Sequence, residues 1–108
     1  MKNIVFLFVF VFAGLSLFSQ NIDRNTAEQY LKRGEYMMEK SNYVDAISNF
    51  TLAIESDVTY AEAYRKRAIA IKMSETEQEG ISYCEDLKKA VSLGSEKAKK
   101  ELKESICN

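Results

Sequence analysis

Cys84 and Cys107 carry the most specific chemistry in this chain. The chain contains no His, so neither thiol has the usual base that would make it a catalytic thiolate. Two isolated cysteines also lack the spacing of a metal knuckle. Two readings remain: a disulfide closing a loop of about 24 residues and stabilising by about 3 kcal/mol on the chain-entropy model, or a buried Cys84 and a free terminal thiol at Cys107. The absence of His also removes every Ser/His pair and the commonest metal ligand. Glu75, Glu77 and Glu79 alternate in one stretch, but without the Asp/Asn/Gly spacing of a calcium loop they read as a solvated turn. Lys97, Lys99, Lys100 and Lys103 are interleaved with Glu96, Glu101 and Glu104 at three and four residues, the pattern of a solubilising helix face. No phosphate loop, nucleotide fingerprint or paired-carboxylate motif occurs. No catalytic, metal or cofactor residue is nominated, and a non-enzymatic protein is expected.

The overall charge points the same way. Fifteen Lys plus Arg against 16 Asp plus Glu give a formal charge of -1, so no broad field draws the chain to nucleic acid or anionic membrane. With 108 residues, 46% of them apolar, the chain suffices for one small domain. Part of it is expected to be lost. Lys2, an apolar run from Ile4 to Phe18 and the small Ser19 before Gln20 have the layout of a secretory signal peptide over residues 1–19. The apolar run is about 15 residues, short of the roughly 20 that cross a bilayer, so no stable span is expected after cleavage. The destination is then periplasmic or extracellular, an oxidising space in which a disulfide persists. A chain this small buries only about 60 to 65% of its unfolded surface and needs a staple or an association.

The elements that must position any site are helical. The sequence has no Pro and four Gly, and no useful segment alternates with a period of two. After a linker over 20–25, Ala27, Tyr30, Leu31, Gly34, Met37 and Met38 line one face of a helix that Asn25 or Thr26 is placed to cap. Tyr43, Ala46, Ile47, Phe50, Ala53 and Ile54 line a second. A third runs from about Thr59 to Met73. A fourth follows the acidic loop, carries Leu87, Ala90 and Val91, and stops at Gly94, a residue suited to the left-handed position past a helix end. Ser95 caps a fifth helix bearing Ala98, Leu102 and Ile106.

The pattern repeats. A shift of 34 places Ala27 on Ala61, Glu28 on Glu62, Tyr30 on Tyr64 and Arg33 on Arg67. A shift of 37 places Asn49 on Asp86, Phe50 on Leu87, Ala53 on Ala90 and Ile54 on Val91. A period near 34 made of two helices is the mark of a helical solenoid, in which each pair must stack on the next to cover its apolar face. On Tyr30, Gly34, Tyr43, Ala46, Ile47, Phe50, Ala53 and Ile54 the first unit resembles the tetratricopeptide repeat family. The second unit departs from the family pattern at Tyr83, where a small Ala is usual, and Val58 stands where the family has Pro. The stretch from Leu87 to Leu102 also resembles the related Sel1-type repeat.

The resemblance implies an all-α fold: a short solenoid of two helix-turn-helix repeats, over 26–58 and 59–94, closed by a capping helix over 95–108. It also implies a scaffold or adaptor whose first helices line a groove for a protein or peptide partner. Carried onto this sequence, the groove positions are Glu28, Leu31, Glu35, Met38 and Glu39 from the first repeat, with Glu62, Arg65, Ile69, Lys72 and Met73 from the second. The family's clamp for a C-terminal carboxylate wants Lys and Asn where this chain has Leu31 and Glu35, so that mode is not expected; acids in the first repeat and cations in the second favour instead a segment of mixed charge, with Met38, Ile69 and Met73 as adaptable apolar contacts. An uncovered first hairpin would alternatively make the chain a self-associating component of the cell envelope, a homo-oligomer.

Overall fold

Asp23 starts the fold. In the computed structural model, which describes residues 22–75 and 82–107, its carboxylate accepts from the Thr26 N–H at 3.0 Å and from the Thr26 hydroxyl at 2.6 Å. Helix α1 therefore spans Arg24–Glu39, beginning before both Asn25 and Thr26. The correction has a local cause: a cap must reach the amide three residues ahead, and here Thr26 supplies that amide instead of receiving one. Ser41 turns the chain through a left-handed conformation at φ 57°. Asn42 then accepts from the Asp45 N–H at 3.4 Å to open α2, Tyr43–Ser56.

Helix α3 covers Ala61–Ser74. Thr59, expected at its start, instead belongs to the preceding turn, where its N–H and hydroxyl donate to Asp57 Oδ1 at 2.9 and 2.6 Å. Helix α4, Tyr83–Ser92, ends before Gly94, whose φ of 97° is the left-handed value anticipated from its type. Ser95 accepts from the Ala98 N–H at 3.1 Å and opens α5, Glu96–Glu104. All regular structure among the described residues is helical, and none of these helices is long and apolar enough to cross a membrane. The proposed signal peptide lies outside the described residues, as do Glu77 and Glu79 of the acidic stretch.

The connections between α1 and α2 and between α4 and α5 are short, so each helix turns back on its predecessor and packs chiefly against its chain neighbours. Small residues permit this. Ala27, Ala46, Ala53, Ala63, Ala68, Ala70, Ala90 and Ala98 are all 0% exposed, and around them close Phe50, Ile47, Ile71 and Leu87. Phe50 fills the α1–α2 interface by lying against Gly34, where an added Cβ would stand 2.4 Å from Phe50 Cε1. The Tyr64 hydroxyl donates to the Val58 carbonyl at 3.1 Å, fixing α3 on the turn that precedes it.

Two acids are buried with the core. Asp57 accepts from Arg24 as well as from Thr59, and Arg24 also stacks 4.1 Å from the Tyr60 ring centroid. With the Asp23 N–H donating to the Ser56 carbonyl at 2.8 Å, the start of α1 is tied to the α2–α3 turn. Asp86 takes two 2.7 Å hydrogen bonds from Arg67, whose remaining arm reaches Thr51 of α2 at 3.2 Å. That guanidinium therefore links three successive helices. Its counterpart 34 residues earlier, Arg33, is exposed and, among the described residues, meets the Tyr30 ring at 5.4 Å; the position corresponding to Asp86 is the neutral Asn49, which donates to its own helix at Asp45.

Candidate functional site

Long polar side chains join alternate helices. Lys66 of α3 reaches Glu35 of α1 at 2.8 Å and Glu62 at 3.8 Å. Arg65 holds Glu62 through two bonds of 3.0 and 2.7 Å and reaches Glu101 of α5 at 2.5 Å. These contacts bring α1, α3 and α5 onto one face. The Arg65 hydrogen bonds hold the Glu62 carboxyl below its ordinary value; burial opposes them, and the charges of Arg65 and Lys66 add to them.

Two open cavities lie along this face. The first, about 300 Å³, sits between α1 and α3: Met38 and Ile69 form its apolar walls, Glu35, Glu39 and Lys66 its rim, and Phe50 its floor. The second, about 410 Å³, lies between α3 and α5, with Ile69 again in its wall beside Met73, Tyr83 and the carboxylates Glu101 and Glu104. Ile69 thus faces both. A further cavity of about 310 Å³ adjoins the second and is lined by Tyr83, Glu104, Ser105 and Ile106.

Of the ten groove positions, Glu35, Met38, Glu39 and Ile69 meet in the first cavity, while Ile69, Lys72 and Met73 meet in the second. Glu28 is exposed but lines neither of these cavities. Leu31, at 7% exposure, packs in the core row with Ala27 and Gly34 and lines neither cavity. Glu62 is engaged by Arg65 and Lys66 of its own helix and Arg65 also by Glu101 of α5, so they build the face instead of presenting free charge. Lys66, Tyr83, Glu101 and Glu104 were missed. Lys66 left a trace, being four residues after Glu62, the spacing of a helical ion pair; the others depend on how α4 and α5 return to α3.

Cys84 and Cys107 are joined by a disulfide, with Cα atoms 5.5 Å apart. It fastens the start of α4 to the chain just beyond α5, next to Tyr83 on one side and Ile106 on the other. Tyr83 can stand where the repeat pattern has Ala because it opens α4, is only partly buried, and lies under the Lys72 ammonium at 5.5 Å. Among the described residues no group of three or more acids or cysteines comes together in a way that could hold a metal ion. Compared with family models, with curated proteins and with solved structures, the chain finds no match.

Proposed function

We propose that this is an exported, tetratricopeptide-like protein whose two helical hairpins stack as a short solenoid and bind a protein or peptide without catalysis. The observation that supports this reading most is the meeting of Glu35, Met38, Glu39 and Ile69 in one open cavity between α1 and α3. These positions come from the repeat pattern, and together they combine flexible apolar walls with a polar rim, the make-up of an adaptable peptide site. The disulfide suits an oxidising compartment outside the cytoplasm.

The test is substitution on that face. Ile69→Glu and Met73→Glu are expected to abolish co-purification of the partner while leaving helical circular dichroism unchanged, whereas Lys88→Glu on exposed α4 is expected to change neither. Equal recovery of the partner by all three variants would rule the face out.

A further inference from the structure

We infer that the occupant of this face is a cationic segment, a stretch of peptide carrying one or two Lys or Arg side chains between apolar ones. The inference rests on the binding role just proposed and specifies the partner's chemistry. The sequence pattern alone, with acids in the first repeat and cations in the second, pointed to a ligand of mixed charge. Side-chain pairing changes that account. The Lys66 ammonium lies 2.8 Å from Glu35 and 3.8 Å from Glu62. Arg65, whose side chain is 11% exposed, is held between Glu62 and Glu101. Lys72 lies over the Tyr83 ring. Lys66 and Arg65 are thus paired by the protein's own acids, while Lys72 rests on a ring that carries no charge and stays a cation in the wall of the second cavity.

The carboxylates are not matched in the same way. Glu39 on the rim of the first cavity and Glu104 on the wall of the second make no ion pair among the described residues. Glu101 gives one oxygen to Arg65, while its other oxygen is buried without a hydrogen-bond donor. A carboxylate so incompletely solvated favours a positive charge placed in the neighbouring cavity, through space and without direct contact. In the lining of each cavity two carboxylates stand against one cation, Glu35 and Glu39 against Lys66 and Glu101 and Glu104 against Lys72, so both hold a surplus of negative charge over a shared apolar wall at Ile69. An acidic segment would meet like charge at each end, and an uncharged one would leave the surplus uncompensated.

The probe is a displayed library of random peptides about ten residues long, selected on the disulfide-intact mature chain and sorted by dependence on Ile69 and Met73. Enrichment of Lys and Arg beside Leu, Ile or Val is expected. Affinity for the selected peptides should fall about 3- to 10-fold for each of Glu39→Gln and Glu104→Gln at low ionic strength, and the loss should shrink in high salt. Face-dependent peptides that are acidic or uncharged, or cationic ones indifferent to both Gln variants, would overturn the inference and leave the binding role standing. If no selected peptide depends on Ile69 or Met73, both fall. Circular dichroism of Met73→Glu, at a position already 53% exposed, separates loss of binding from loss of fold.

Discussion

A single hydrogen atom decides the packing at residue 34. Gly34→Ala would gain about 1 kcal/mol of intrinsic helix preference, but its Cβ would fall 2.4 Å from a ring carbon of Phe50, which is itself fully buried. Overpacking of this kind costs about 1 to 3 kcal/mol, so the variant is expected to be less stable by urea denaturation, and Phe50→Leu in the same chain should recover part of the loss. Asp57 provides a second test. Its burial acts to raise the carboxyl, but the Thr59 hydroxyl, the Arg24 guanidinium and the Thr59 N–H hold it below its ordinary value of 3.8. Its folded value lies below its unfolded one, so its contribution is complete above about pH 4 and is lost as pH falls through the folded value. Thermal midpoints should drop on the acid side of pH 4, and Asp57→Asn should flatten that drop while lowering the plateau at neutral pH; an unchanged acid limb would remove Asp57 from the account. The small Gly34 was legible because the repeat pattern marks it. The Arg24–Asp57 and Arg67–Asp86 pairs were not, since partners 33 and 19 residues apart meet only once the register between helices is known.

At the scale of elements, three helix starts and one helix finish follow from short-range chemistry. Asn42, Ser82 and Ser95 accept from the amide three residues on, and Gly94 adopts the left-handed conformation, all within the reach of a sequence window. The beginnings of α1 and α3 were misplaced because Asp23 and Asp57 compete for the same turns as Thr26 and Thr59, and an ionised carboxylate is the stronger acceptor. Helix α5 depends on more than its cap. Ala98 is its only fully buried residue, and nine residues are too few for a helix to be stable by itself. The disulfide beyond its end supplies what packing does not. Reduction, or Cys107→Ser, is expected to cost about 3 kcal/mol and to lower the melting temperature by on the order of 10 °C or more. Amide exchange should quicken in α5 before α1 and α2. Uniform acceleration across all five helices would mean that the bridge staples the whole unit and not its last element.

The molecule as a whole is a run of helices in which each leans on the next, with ion pairs from α3 reaching to α1 and α5 across one face. Its helical architecture and most of its core were readable from apolar spacing, because a period near 3.6 and small residues at the crossings survive in any register. The face was readable only in part. Met38, Ile69 and Met73 line the cavities and Leu31 is buried, and the charges that set the character of the face are paired by tertiary contacts invisible to a window of sequence. The central claim is that this face, and not the outer surface of α2 and α4, meets the partner. In-cell photo-crosslinking tests it most directly, with the reactive residue placed at Met38 or Ile69 and, for comparison, at Lys88. Adducts with one distinct protein from Met38 and Ile69 alone are predicted. Adducts from Lys88 alone, or only between copies of this chain, would contradict it.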